Sequence, residues 1–241
     1  MDIVLIAGLW LPHRVWDPVA DELGRLGHRP DAVPLPGVDR PGSAGGALAD
    51  ATLDDQIDAV LGAVDDADRP LVVGHSAGCG LAWIVADRHP TSIAGVVLLG
   101  GFPVADGSTY ADFFDLDGGV MPFPGWEAFE GPDSDDLDED ARRHLADAAV
   151  PVPRGVGHAT VHLTDERRYD VPTTVICPEF SPDDVRQWIA GGDLPELERA
   201  RRLELVDLES GHWPMVSRPA ELAAMIATLA DGAAAGSDVG R

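Results

Sequence analysis

Residues 70–83, PLVVGHSAGCGLAW, place a single hydroxyl among small residues directly after an apolar run. The apolar run is typical of a buried strand, and the apolar pattern that resumes after the glycines is typical of a helix. A chain that changes from strand to helix within two residues strains the residue at the turn, and its neighbours two positions away must lack side chains. Gly74 and Gly78 occupy those positions around Ser76. The spacing therefore predicts that Ser76 is a nucleophile held at a sharp strand-to-helix turn.

A serine nucleophile needs a base, and we predict that this base is His212 in the stretch SGHWPMVSRPAEL. His212 follows the last predicted strand and precedes the last predicted helix. In a doubly wound sheet that loop lies at the carboxyl edge, where the sharp turn also presents Ser76. Trp213, the next residue, is predicted to line the substrate pocket. His75 lies within the sharp turn itself, and we expect its side chain to point away from the site.

Two N–H groups must meet near the Ser76 hydroxyl if an oxyanion is to be stabilised there. The amide of Ala77 is one predicted donor, because it opens the helix after the turn, where the helix dipole favours negative charge. The loop after the first strand, AGLWLPHRVW, is predicted to supply the other. Gly8 permits close approach of the backbone there, the amide of Leu9 is the predicted donor, and Trp10 is expected to form a pocket wall.

The elements that must position these residues are six short β-rich runs that alternate with helical patterns. The runs lie at residues 3–7, 29–35, 71–73, 94–99, 173–177 and 203–208, and helical periodicity covers residues 16–26, 53–64 and 219–229 as well as the segment after Ser76. Because strands alternate with helices and the central strands are apolar throughout, the sequence predicts an α/β fold with a doubly wound, mostly parallel sheet. We expect one domain over residues 1–230 and a disordered tail over 231–241.

One long segment, at about residues 102–168, interrupts this alternation and shows no convincing strand. It holds five of the six phenylalanines of the chain, together with Tyr110 and Trp126. We therefore expect an inserted, mobile lid over an apolar pocket, with Phe113, Phe114 and Trp126 facing the substrate. The alternative is that these rings form a small core of the lid itself.

The chain carries a formal net charge of -25 over 241 residues, which bears on its partners. So acidic a surface repels phosphate backbones and anionic lipid, so we expect a small-molecule substrate, and neither nucleic acid nor a membrane as partner. The acidic stretch at residues 133–140, DSDDLDED, is predicted to be a solvated helix start.

The remaining composition concerns the compartment and cofactors. The chain has two cysteines, which fits a reducing compartment, and its first residues are typical of a strand rather than of a secretion signal, so we expect a cytoplasmic protein. The predicted chemistry needs no organic cofactor and no metal. His158 and His162 have the spacing of a metal-binding pair on a helix, but they lack further ligands nearby in the sequence.

The chain resembles the α/β-hydrolase superfamily in three stretches that occur in the expected order. These are Gly8-Leu9-Trp10 followed by VWDPVADEL and VPLPG, then the GHSAG turn around Ser76, and finally SGHWPMVSRPAELA around His212. The resemblance covers nearly the whole chain and implies a fold of the α/β-hydrolase type with an inserted lid. Serine at the turn disfavours the epoxide hydrolase and dehalogenase branches, which use Asp there. Ala7 stands where many relatives have a His before the glycine of the oxyanion loop.

The resemblance also indicates where the acid of a catalytic triad belongs, and this chain departs from the pattern there. Relatives have Gly-x-x-Asp-Pro after the strand, whereas this chain has VICPEFSPDD, with Ser181 at the Asp position. We predict Glu179, directly past the strand end, as the acid that orients His212. Asp183 and Asp184 are expected to cap the following helix. Asp106, after the preceding strand, is the next candidate for the acid, and Asp183 and Asp184 are further carboxylates in the same loop that could take this role.

These residues together favour a serine hydrolase of the carboxylesterase type. It would cleave a small, fairly apolar ester, lactone or thioester through an acyl-enzyme on Ser76, with His212 as base. Two alternatives stay open at this point: a lyase or decarboxylase that uses the same Ser–His pair, and a non-catalytic ligand-binding protein that keeps the fold.

Overall fold

The computed structural model describes residues 1–38 and 50–238, and a parallel sheet forms its centre. The strands among these residues are β1 (Asp2–Ile6), β2 (Arg29–Ala32), β3 (Leu71–His75), β4 (Gly95–Leu99), β5 (Val120–Met121), β6 (Val152–Pro153), β7 (Thr173–Cys177) and β8 (Leu203–Asp207). Six of them form one sheet in the order β2-β1-β3-β4-β7-β8, and every neighbouring pair is parallel. The predicted fold class is confirmed.

Helices cover both faces of this sheet. They are α1 (Asp17–Arg25), α2 (Leu53–Asp65), α3 (Gly78–Arg88), α4 (Glu139–Ala148), α5 (Arg154–Gly157), α6 (Pro182–Gly191), α7 (Pro195–Glu198), α8 (Pro214–Ser217) and α9 (Pro219–Asp238). Alternate residues of β1 point to opposite faces, so Ile3 and Leu5 pack in the core with α1 and α9, while Val4 and Ile6 pack in the core with α2 and α3. Burial on both faces explains why β3 and β4 are continuously apolar in sequence.

The segment between β4 and β7 is the predicted lid, and it contains more regular structure than the sequence indicated. Its strands β5 and β6 pair antiparallel in a separate two-stranded sheet, and α4 and α5 lie in the same segment. The expectation of no strand there was wrong. Each strand is two residues long, and that length is too short to show a periodic pattern.

A buried ionic cluster fixes the end of this segment to the rest of the domain. Arg168 is 5% exposed and pairs with Glu196 of α7 at 2.8 Å and with Asp87 of α3 at 3.3 Å. Asp87 also accepts hydrogen bonds from the amides of Thr164 and Asp165. Removing one member of such a cluster leaves a buried charge without its partner, which is strongly destabilising. The cluster therefore anchors the end of this segment to α3 and α7.

The carboxyl end of the described chain is helical for longer than expected. Helix α9 continues to Asp238, so residues 231–238 belong to a helix and not to a disordered tail, and residues 239–241 of the predicted tail lie outside the described residues. Its run of alanines has high helix propensity. Within residues 1–38 and 50–238, the structure contains no helix with the length and apolar character that crossing a membrane requires.

Candidate active site

Ser76 lies at the sharp turn between β3 and α3, as the glycine spacing predicted. Its φ of 54° is in the left-handed region, which a residue with a side chain adopts only when its surroundings enforce it. The two neighbouring glycines make this conformation possible, because a side chain at either position would clash. A Cβ on Gly74 would lie 2.3 Å from the carbonyl oxygen of Gly78, and a Cβ on Gly78 would lie 2.8 Å from the carbonyl oxygen of Ala7. The small residues therefore permit the strain that presents the Ser76 hydroxyl.

His212 and Glu179 lie together at the same edge of the sheet. Nδ1 of His212 is 2.6 Å from Oε1 of Glu179, and both side chains are largely buried, at 15% and 13% exposure. A carboxylate can only accept, so Nδ1 of His212 is the donor in this contact, and in the neutral imidazole Nε2 is then the nitrogen with the lone pair. Gly100, just past β4, leaves room for the pair: a Cβ there would lie 3.3 Å from His212 Nδ1. At the next position, a Cβ on Gly101 would lie 2.5 Å from the carbonyl oxygen of Ser76. The segment after β4 therefore packs closely against the His212 side chain and against the backbone of Ser76.

The other candidate acids have different contacts in the structure. Asp106 accepts a hydrogen bond from the amide of Leu163, inside the lid. Asp184 forms a capping box with Ser181 at the start of α6, as expected. Asp183 is exposed and pairs with Arg186 on the same helix. Glu179 is therefore the acid that the structure brings to His212.

The loop after β1, predicted to hold the second oxyanion donor, packs directly on Ser76. A Cβ on Gly8 would lie 2.9 Å from the Cβ of Ser76, so only glycine permits this approach. Leu9 and Trp10 are both buried, and Trp10 has a φ of 63°. The amide of Ala77 precedes α3, among the first N–H groups of the helix, which have no acceptor within it. The loop that carries Leu9 thus packs on Ser76, Ala77 follows Ser76 at the start of α3, and the role of the two amides stays a prediction.

Aromatic side chains form a continuous wall from the oxyanion loop to the histidine loop. The wall consists of Trp10, Phe114, Phe123, Phe129, Trp126 and Trp213. Trp10 is 5.4 Å from Phe114 between ring centroids, and at the other end Trp126 is 5.2 Å from Trp213, whose ring is 4.9 Å from that of His212. Phe113 does not share this position: it is 65% exposed and lines an open depression with His158 and its own neighbours. Phe114 borders the same depression, but its ring also contacts the rings of Trp10 and Phe129.

A second aromatic group, which the sequence did not single out, flanks the acid. Phe102, Phe180 and Trp188 have centroid distances between 5.2 and 5.7 Å. Phe180 follows Glu179 directly in the chain, so this group lies next to the loop that carries the acid. The aromatic wall and this group give the site apolar surroundings in which electrostatic interactions are stronger than in water.

The lid is hydrogen-bonded to the serine turn, to the loop after β1 and to the histidine loop. Tyr110 donates its hydroxyl to the carbonyl of Ala77 at 2.8 Å, and Trp10 donates its indole N–H to the carbonyl of Met121 at 3.1 Å. The amide of His212 donates to the carbonyl of Asp133 at 2.8 Å. Mobility of the lid stays a prediction, and any motion of the whole segment would break these bonds.

The first part of the acidic stretch 133–140 therefore has a different role from the one predicted. Asp138 does cap α4, but Asp136 accepts a hydrogen bond from the amide of Gly211 at 2.8 Å. Burial raises the pKa of Asp133, the Glu179 carboxylate raises it further, and His212 lowers it. The glycine at position 211 is the one feature of the sequence that indicates this close contact, because a Cβ there would lie 2.4 Å from the Asp133 carbonyl oxygen.

His75 also differs from expectation, since its side chain contacts the predicted base instead of pointing away. Its Nε2 is 2.7 Å from the carbonyl oxygen of His212, and the two rings are 4.9 Å apart. Burial lowers the pKa of His75 well below its ordinary value, and the neighbouring His212 adds to this effect. The turn at Ser76 places the side chain of His75 against the backbone of the histidine loop. This contact joins residues far apart in the chain, so the sequence pattern did not predict it.

The parallel sheet, the strained serine after its third strand and the histidine loop at its carboxyl edge define the α/β-hydrolase fold. The chain belongs to the alpha/beta hydrolase family, whose model matches residues 3–225. The predicted resemblance is confirmed. No curated protein sequence matches the chain significantly.

Solved structures with the same fold cover nearly the whole chain. An extracellular alpha/beta-hydrolase from a Paenibacillus species is 18% identical, with 95% of this chain and 98% of that one covered and a TM-score of 0.76. A pyrethroid hydrolase from Sphingobium faniae is 23% identical, with 96% and 97% covered and a TM-score of 0.69. A methylesterase from Arabidopsis is 20% identical, with 94% and 97% covered and a TM-score of 0.70. At these identities the likeness establishes the fold.

Proposed function

We propose that the protein is a serine hydrolase that cleaves a small, neutral and fairly apolar ester, lactone or thioester. The observation that carries the proposal is the pair formed by Glu179 and His212. Their 2.6 Å contact leaves Nε2 of His212 free as a base, at the edge of the sheet where the turn presents Ser76. A methylesterase and a pyrethroid hydrolase among the proteins of similar fold support ester chemistry.

In the proposed reaction, Oγ of Ser76 attacks the carbonyl carbon of the substrate while Nε2 of His212 takes the hydroxyl proton. The amides of Leu9 and Ala77 stabilise the oxyanion that forms, and Glu179 stabilises the imidazolium. The intermediate collapses to an acyl-enzyme on Ser76, and His212 returns the proton to the leaving alkoxide or thiolate. Water then attacks the acyl group, with His212 again as base, and releases the acid.

The surroundings of the site favour a neutral substrate. The aromatic wall between Trp10 and Trp213 offers apolar surface. A net charge of -25 and the carboxylates of Glu179 and Asp133 beside His212 oppose the approach of an anion. The same charge argues against nucleic acid and anionic membranes as partners. The two cysteines are both free and buried, which fits the cytoplasm as the proposed compartment.

A fluorophosphonate probe tests the nucleophile directly, because it modifies only an activated serine. We expect the wild-type protein to be labelled at Ser76, as located by mass spectrometry of the labelled peptide, and to hydrolyse nitrophenyl esters. Ser76→Ala should abolish labelling and lower kcat by about 10⁶ with unchanged thermal unfolding. Ser92→Ala, at an exposed turn after α3, is the matched control and should behave as wild type. Hydrolysis by Ser76→Ala at a rate near that of wild type would exclude this mechanism.

A further inference from the structure

His75 is a fully buried histidine that the mechanism above does not use. It precedes Ser76 in the chain and is 1% exposed. The carbonyl of His212 can only accept a hydrogen bond, so Nε2 of His75 is the donor in their 2.7 Å contact. Nδ1 is then without a proton, and it has no hydrogen-bond partner among the described residues. The ring is neutral, because burial keeps the pKa of His75 well below its ordinary value.

This hydrogen bond links the nucleophile to the base by a short path. Because residues 75 and 76 are adjacent, the bond ties the backbone next to Ser76 to the backbone of His212 itself. Glu179 fixes the other end of His212 by holding Nδ1. The base is therefore held at its main chain by His75 and at its ring by Glu179. The ring of His75 also packs against Trp16, at 6.4 Å between centroids, which limits its own movement.

The same side chain contacts the oxyanion loop. A Cβ on Gly8 would lie 3.0 Å from Nδ1 of His75, so the ring is in close contact with the backbone of that loop. His75 thus contacts the loop that carries the base and the loop that carries the predicted oxyanion donor, while its own backbone continues into the nucleophile. No other position among those described above meets all three.

We propose that His75 is a positioning residue, which sets the placement of His212 relative to Ser76 through the hydrogen bond to the His212 carbonyl. The inference rests on the proposed function. A shift of about 1 Å in a catalytic group can lower the rate about 10²-fold, so loss of this bond should be visible in catalysis.

The test compares three substitutions that separate shape from hydrogen bonding. His75→Phe keeps a ring but removes the donor. His75→Gln carries an amide N–H at about the position of Nε2, whereas His75→Asn carries one that is too short to reach the carbonyl. We expect the labelling rate with the fluorophosphonate probe and kcat to fall about 10-fold to 10²-fold in the Phe and Asn variants, with little change in KM. The Gln variant should recover at least about tenfold of that loss.

The matched control is His28→Gln, at the other buried histidine whose Nδ1 lacks a partner, before β2 at the opposite edge of the sheet. It should label and turn over as wild type. Wild-type rates in a folded His75→Phe, or a Gln variant no faster than the Asn variant, would overturn the role of His75 while the proposed function stands. If Phe does not fold, the comparison of Gln with Asn decides. A wild-type protein that the probe does not label would overturn both.

Discussion

Replacing Glu179 by Gln isolates the charge of the acid that contacts His212. The amide oxygen of Gln can still accept the proton on Nδ1 over the 2.6 Å contact, so the orientation of the ring is retained. What is lost is the attraction between a carboxylate and the imidazolium that forms in the reaction. Two unit charges about 4 Å apart attract by about 4 kcal/mol at an effective dielectric constant of about 20. At about 1.4 kcal/mol per tenfold change in rate, kcat should fall about 10³-fold.

Steady-state kinetics on a neutral ester measures this effect directly. KM should change little, because in the proposed mechanism the imidazolium forms only as the reaction proceeds. Asp106→Asn and Asp183→Asn are the matched controls, since each removes one carboxylate that contacts other partners, and both should keep kcat near wild type. Thermal unfolding of each variant shows whether the fold is intact.

Two outcomes would refute the assignment. If Glu179→Gln is close to wild type while Asp106→Asn is strongly impaired, the acid comes from the segment after β4. If none of the three substitutions changes kcat, His212 acts without a charged partner, and the triad itself is wrong.

Three further predictions concern the lid and His75. Phe114→Ala should lower kcat/KM more for aromatic esters than for acetates, with a difference in transition-state stabilisation of about 1.5–3 kcal/mol. Phe113→Ala, at an exposed position, should show no such difference, and equal losses for both ester types in Phe114→Ala would show that Phe114 only packs. Asp136→Ala removes the acceptor of the Gly211 amide, and if that hydrogen bond contributes about 1 kcal/mol to the placement of the loop, kcat should fall about fivefold. Asp135→Ala, at an exposed position, should leave kcat unchanged, and equal kcat values for the two variants would contradict this prediction. Because the folded-state pKa of His75 lies below 6.5, only the unfolded chain takes up that proton as the pH falls through 6.5. Unfolding free energy should then fall less steeply in His75→Gln than in wild type between pH 7 and 5, by up to about 1.4 kcal/mol per unit, and identical slopes in denaturant titrations would contradict it.

The parts of the fold that the sequence predicted are those with a repeating signal. Strands β3 and β4 are buried on both faces, which makes their runs continuously apolar. Strand β2 at the sheet edge has exposed alternate positions, so its run was weak and its predicted end, at residue 35, lies beyond the observed end at Ala32. The turn at Ser76 was predictable because its geometry requires glycine at fixed offsets.

The parts that the sequence did not predict depend on contacts between distant segments. Strands β5 and β6 pair across more than thirty residues of chain with two residues each. The position of Glu179 directly after β7 favoured it over the other candidate acids, but only the structure shows which carboxylate accepts the hydrogen bond from Nδ1 of His212. The acidic residues before α4 have the composition of a solvated surface, and their hydrogen bonds to Gly211 and His212 are fixed by the tertiary fold.

The lid contributes both the apolar wall and part of the support for the base, and this couples two properties of the site. The wall residues Phe114 and Trp126 contact Trp10 and Trp213, and the stretch that follows Trp126 holds the amides of Gly211 and His212. We therefore expect a change in lid sequence that displaces the residues from Asp133 to Asp136 to move the backbone of His212 as well. We therefore expect substitutions of the Phe114 side chain, which contacts the ring of Trp10, to change substrate preference at little cost in rate. Substitutions next to Asp133 should instead lower the rate for every substrate alike, because they displace His212, the proposed base.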